Sequence, residues 1–130
     1  MPYRNYNTWM GDPTRTLQAR QIIRTIQDHD LVQKTDEVGN YIYEKLTDMI
    51  ENGAGRGKVE KLRGENAGTF LAFDGKTPEV RDKLIMEMRK LGVHMGGCGD
   101  KAVRLRPMLV FEQKHADLFL EKLDKALAQL

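Results

Sequence analysis

The sequence predicts an α+β fold: a small, mostly antiparallel sheet with helices packed on one face. Two observations point there. The segments read helix, helix, strand, strand, helix, strand, strand, helix, and glycine-bearing turns separate the paired strand segments. Apolar residues in the helical segments recur at spacings of three and four, which gives each helix one side to bury. A length of 130 residues is one ordinary domain's worth.

Residues 1–11 read as an extended loop rich in aromatics. Asp12-Pro13 starts the first helix, because Asp accepts backbone N–H groups as N-cap and Pro fits the first turn. That helix is predicted to run to about Asp28, with Leu17, Ile22, Ile23 and Ile26 as its apolar stripe. It is the least integrated of the helices and is expected to dock on something outside this chain. Asp28-His29-Asp30 is a break. A second helix over about 31–51 follows from Leu31, Thr35, Val38, Ile42, Leu46, Met49 and Ile50.

Asn52–Gly57 stops it. Its three glycines suggest a flexible connector; a phosphate-cradling loop would need a Gly-Lys-Ser/Thr ending and a preceding strand. Val59–Arg63 and Thr69–Phe73 read as strands around a Gly64–Gly68 turn. The alternation of Phe70 and Ala72 with Leu71 and Phe73 predicts that both faces of the second strand are buried. Thr77-Pro78 opens a third helix with Val80, Leu84, Met88 and Leu91 on one side, and Gly92 closes it. Val93–Met95 reads as a strand, Gly96–Asp100 as a tight turn, Ala102–Arg106 as a strand halted by Pro107, and about 113–128 as the last helix.

Composition narrows the function. Charged residues are 31% and hydrophobic residues 40%, which argues against disorder and a membrane span. Residues 1–65 carry ten basic and ten acidic side chains, and residues 66–130 eleven and nine, so no basic face invites nucleic acid. The single cysteine, Cys98, forms no intramolecular disulfide and fits a reducing, intracellular compartment. The opening Tyr3, Tyr6, Trp9, Met10 and Pro13 make an unusually apolar start, expected of the interior of a longer protein.

The three histidines show no metal-ligand spacing, and His94 with Cys98 straddles a glycine turn, so no metal is expected. Cys98 among glycines reads as a small packing residue rather than a nucleophile. Gly96-Gly97-Cys98-Gly99 allows either a close approach of backbone to ligand or a tight turn. Arg104 and Arg106 share one side of a strand, with Val103 and Leu105 on the other. Such an arginine is either a solvated edge residue or a bidentate carboxylate or phosphate anchor. In Asn7-Thr8-Trp9, Thr8 either caps the helix or donates to a phosphate.

Tyr6-Asn7-Thr8-Trp9-Met10-Gly11-Asp12-Pro13, followed about ninety residues later by Gly96-Gly97-Cys98-Gly99-Asp100-Lys101-Ala102-Val103-Arg104-Leu105-Arg106-Pro107, resembles the C-terminal part of the eukaryotic 4-aminobutyrate aminotransferases. These belong to the class III, fold-type I aminotransferases, which use pyridoxal 5'-phosphate. The resemblance covers the whole chain, including Arg63-Gly64. It implies transfer of the amino group of 4-aminobutyrate to 2-oxoglutarate, giving succinate semialdehyde and glutamate, by a homodimer.

The resemblance also assigns positions. It implies that Thr8 hydrogen-bonds the cofactor phosphate of the neighbouring subunit and that Tyr6 lines that neighbour's substrate pocket. Arg104 is implied to bind the α-carboxylate of the 2-oxo acid, with Gly97 close by and Arg106 structural. The Schiff-base lysine, the acid against the pyridine nitrogen, the phosphate cradle and the distal-carboxylate arginine lie upstream in the family. No catalytic residue is therefore assigned here, and the isolated chain is expected to be an inactive fragment. Residues 1–29 are expected to end the large domain and 30–130 to form the C-terminal small domain. The compartment expected is the mitochondrial matrix or the cytosol. Two alternatives remain open: another ω-amino-acid or lysine aminotransferase, or a truncated, non-catalytic interaction module.

Overall fold

The computed structural model describes residues 7–130. The chain divides into two compact units, the second running Val32–Leu130. The first holds α1 (Pro13–Asp28), with Asp12 as N-cap accepting from the Thr14 amide at 2.9 Å. No residue of α1 is buried, and Leu17, Ile22 and Ile23 are exposed, so the expected stripe stays uncovered. After the break, Asp30 takes a left-handed conformation (φ 50°) just before α2 (Leu31–Glu51).

The second unit is the expected α+β fold. Its sheet contains β1 (Val59–Arg63), β2 (Leu71–Gly75), β3 (Gly96–Cys98) and β4 (Ala102–Leu105), in the order β1-β2-β4-β3 with every neighbour antiparallel. α3 (Pro78–Lys90) connects β2 to β3, and α4 (Gln113–Ala128) follows β4. One face of the sheet, carrying Val59, Leu71, Phe73 and Val103, packs into a core with Ile42 and Leu46 of α2, Leu84 and Met88 of α3, and Leu120, Leu123 and Leu127 of α4. Burial of these side chains, about 1.5–3 kcal/mol each, is the main stabilising contribution.

Polar contacts fix the helices further. The Tyr41 hydroxyl of α2 donates to Asp117 of α4 at 2.6 Å, and this bond raises the phenol's pKa. Two lysines satisfy carbonyls at the C-terminal end of α4: Lys58 Nζ donates to the Leu127 carbonyl at 2.6 Å and Lys83 Nζ to that of the cap residue Gln129 at 3.0 Å. Their charge also opposes the negative end of the helix dipole.

Three expectations change. β2 begins at Leu71, because the Phe70 and Leu71 amides are spent on the Ala67 and Thr69 carbonyls in the preceding turn. Phe70 lies outside the strand and is 57% exposed, so only the Leu71–Phe73 face is fully buried. Val93–Met95 is not a strand: the Val93 amide bonds back to the Met88 carbonyl to close α3 beyond Gly92 (φ 83°). The glycines read as a turn are themselves β3, and the turn moves to 99–101.

The Asn52–Gly57 connection is not a phosphate cradle. The Gly55 amide points to the Met49 carbonyl, and those of Arg56 and Lys58 to Gly53 and Gly55. These donors are turned inward on their own loop, and Gly55 is buried.

Candidate functional site

Alternation along β4 sends Val103 into the core and Arg104 to the opposite, open face of the sheet. Arg104 faces Ala72 on one side and Gly96 on the other. Neither neighbour has a side chain large enough to cover it. Arg104 is half-buried as a residue, and among the described residues its guanidinium has no ion-pair or hydrogen-bond partner. A cation with five N–H donors and no counter-charge is poised for an anion.

Arg104 borders two hollows. One, of about 240 Å³, lies over the sheet between Arg63 and Arg104, with Ala72, Phe70 and Cys98 on its walls. The other, of about 640 Å³, lies at the end of the sheet and is mostly apolar, with Thr69, His94, Arg106 and Phe111 among its walls. Arg106 stands just past the end of β4, exposed, rather than within the strand. Among the described residues no lysine lines either hollow, and no group of three His, Cys, Asp or Glu is placed to hold a metal.

Gly97 pairs with Val103, so its missing side chain would project to the helix-covered face. A Cβ there would sit 2.8 Å from Arg81 Nη1. Arg81, nearly buried on α3, donates to the Ala102 carbonyl at 3.2 Å and approaches that of Gly99 at 3.4 Å, pinning the β3–β4 turn. Gly97→Ala is expected to push Arg81 off these carbonyls and cost about 1–3 kcal/mol. Denaturant unfolding of Gly97→Ala, Arg81→Ala and the double variant checks it. The double variant should cost clearly less than the sum; full additivity would mean the glycine and the arginine are independent.

The face around Arg104 carries further charge. Glu60 of β1 accepts from Lys76 and Lys101, both at 2.9 Å, and the two ammonium groups hold its carboxyl down to about 2. Lys101 is raised by the same contact. A carboxylate depressed in the folded state from an ordinary 4.5 stabilises fully above pH 4.5 and loses that contribution as pH falls toward 2. Glu60→Gln is expected to flatten the acid limb of stability between those values. Denaturant melts across that range test this, and an unchanged slope would show that Glu60 titrates alike in both states.

Arg63 is the residue that strand alternation misassigns. Simple alternation would put it on the core side with Val59. Instead β1 bulges: Glu60 pairs with Asp74 but Arg63 pairs with Ala72, one extra residue being absorbed at Lys61 (φ 54°). The bulge turns Arg63 onto the open face beside Arg104. Its Nη1 lies 2.9 Å from Asp74 Oδ1. Adjacency to Gly64 (φ 105°) is the only hint of irregularity in the sequence at this point.

In the first unit, Thr8 sits in the turn ahead of α1. Asn7 Oδ1 accepts from the Trp9 amide at 2.9 Å and holds that turn, and Trp9 stacks on the Arg15 guanidinium at 4.3 Å. The Thr8 side chain is exposed and has no hydrogen-bond partner among the described residues. Tyr6 lies outside the described residues.

Residues 2–127 match the family described as Aminotransferase class-III. The chain is 86% identical over its full length to a 4-aminobutyrate aminotransferase of Mycosarcoma maydis, of which it spans 26%. It is 42% identical, over 92% of its length, to the mitochondrial 4-aminobutyrate aminotransferase of Mus musculus, of which it spans 23%. Among solved structures, a lysine aminotransferase from M. tuberculosis in its internal aldimine form superimposes with TM-score 0.87 at 27% identity, over 97% of this chain and 28% of that one. The chain thus spans about a quarter of the length of the relatives it matches.

Proposed function

Since the chain belongs to the class III aminotransferases, we propose that it works as the C-terminal part of an enzyme that transfers the amino group of 4-aminobutyrate to 2-oxoglutarate. The products are succinate semialdehyde and glutamate. The observation that carries this reading is the half-buried Arg104, unpaired among the described residues, on the open sheet face between Ala72 and Gly96. A 2-oxo acid brings a carboxylate next to the carbon that receives the amino group, and a planar guanidinium grips that group through two parallel hydrogen bonds. Arg104 then orients the acceptor, and Gly97, with Arg81, keeps the neighbouring hairpin in place.

Bound pyridoxal phosphate supplies the electron sink for such chemistry. Thr8, exposed and with an uncommitted hydroxyl among the described residues, suits a phosphate oxygen, and we assign it to the cofactor of the second subunit in a homodimer. Tyr6 is assigned to the wall of that subunit's substrate pocket. Residues 1–29 are taken as the end of the large domain and 30–130 as the small domain. The lysine that would hold the cofactor is expected outside the two hollows described here. The mouse relative is named mitochondrial, which supports a mitochondrial compartment; we assign the matrix within it, with the cytosol as the alternative.

A lysine or other ω-amino-acid donor is the second reading, favoured by the likeness to the lysine aminotransferase. Initial rates of the full-length enzyme with 2-oxoglutarate and each of 4-aminobutyrate, lysine and ornithine decide between them. The proposal expects the highest kcat/KM with 4-aminobutyrate. Preference for lysine would replace the donor, and no transfer with any of the three would sink the reading.

A further inference from the structure

Arg63, Ala72, Arg104 and Gly96 form one continuous row across three antiparallel pairings, all on the open face. Two strands apart, the Cα atoms of the two arginines are separated by roughly 10 Å. Only the methyl group of Ala72 lies between them, and both side chains wall the same hollow. Two cations in one row repel, and an anion between them removes that cost.

Arg63 is also incompletely used. Its Nη1 donates to the Lys61 carbonyl at 2.9 Å and lies as close to Asp74 Oδ1, yet that oxygen is buried with no aligned hydrogen bond. The ion pair therefore tethers Arg63 over the hollow without saturating its donors. A guanidinium has five N–H groups, so the rest can serve a second carboxylate.

We propose that Arg63 is a second carboxylate-binding residue: with Arg104 it forms a two-guanidinium clamp across Ala72 that takes the carboxylate beside the reacting carbon of the 2-oxo acid. This rests on the reading of Arg104 given above. The bulge at Lys61 is the structural device that makes the clamp, since without it Arg63 would face the core. Asp74 acts as an internal competitor that holds Arg63 until the substrate arrives.

The test is calorimetric titration of the full-length holoenzyme with glutarate, an unreactive five-carbon dicarboxylate, beside KM for 2-oxoglutarate and for 4-aminobutyrate. Arg63→Gln is expected to weaken glutarate and raise the 2-oxoglutarate KM about tenfold, the loss of one charge-assisted hydrogen bond. The KM for 4-aminobutyrate, which has no carboxylate at its reacting carbon, should move less than about twofold. Asp74→Asn is expected to tighten glutarate, because it releases Arg63; a merely structural ion pair would not give that gain. If Arg63→Gln fails to fold, Asp74→Asn decides alone. Wild-type glutarate affinity in both variants, with binding lost in Arg104→Gln, overturns the clamp and leaves the role of Arg104 standing. Wild-type affinity in the Arg104 variant as well overturns both.

Discussion

Replacing Arg104 by alanine in the full-length enzyme is expected to lower kcat/KM for 2-oxoglutarate by about 100- to 10,000-fold. Each hydrogen bond to a charged partner contributes about 1.5–3 kcal/mol, and a bidentate grip makes two. Each 1.4 kcal/mol is tenfold. The donor half-reaction with 4-aminobutyrate should fall far less, since that substrate's only carboxylate is remote from its amino carbon. Arg104→Lys keeps the charge but loses the planar fork, so an intermediate loss of about tenfold is expected. Single-turnover kinetics of the two half-reactions separate these effects. Equal losses in both would point to a damaged fold, and no loss in either would remove Arg104 from the site.

The largest stability effect is expected far from any charge. Gly39 lies in the middle of α2, buried, where glycine costs a helix about 1 kcal/mol relative to alanine. Propensity alone therefore predicts that Gly39→Ala stabilises. The packing predicts the opposite. A Cβ at Gly39 would lie 2.1 Å from the Gly68 carbonyl oxygen and 2.3 Å from its carbon, which are backbone atoms that cannot swing aside. Gly68 in turn is left-handed (φ 58°), and its own Cβ would meet Thr35 of α2 at 2.9 Å. Helix and turn touch backbone to backbone, and separating them is expected to cost about 3 kcal/mol or more. The same turn carries Gly64, Ala67 and Phe70, walls of the hollow beside Arg104, so carboxylate binding should weaken as well. Urea unfolding of the variant checks the prediction, and a stabilised protein would show that the turn yields without cost.

The parts of the fold legible in the sequence are those that local chemistry decides. Asp12-Pro13 and Thr77-Pro78 start helices because cap and first turn are set within four residues, and both caps are present, with Asp12 accepting from Thr14 and Thr77 from Val80. The stripe of α3 is legible for the same reason, with Leu84 and Met88 fully buried. β3 was illegible because its residues are Gly96, Gly97 and Cys98: glycines offer no alternation, and only pairing with β4 makes them a strand. The backbone contact at Gly39 joins α2 to a turn some thirty residues away, which no local pattern records, although a glycine inside a helical stripe is a signal worth following.

The candidate site divides in the same way. Arg104 follows from alternation along one short strand and from the resemblance, and its place on the open face agrees with the alternation. Arg63 needs a bulge, and the bulge depends on Lys61 adopting a conformation that lysine rarely takes. Gly97 is tied to the site by resemblance, while the geometry around it is set by Arg81, a residue that no pattern in the sequence singles out.

The most direct measurement is a crystal structure of the full-length enzyme with 2-oxoglutarate or glutamate bound. The account predicts one substrate carboxylate on the open sheet face, within hydrogen-bond distance of two Arg104 nitrogens, with Arg63 turned toward it. A substrate whose carboxylates lie elsewhere, with Arg104 facing only solvent or protein, would contradict it.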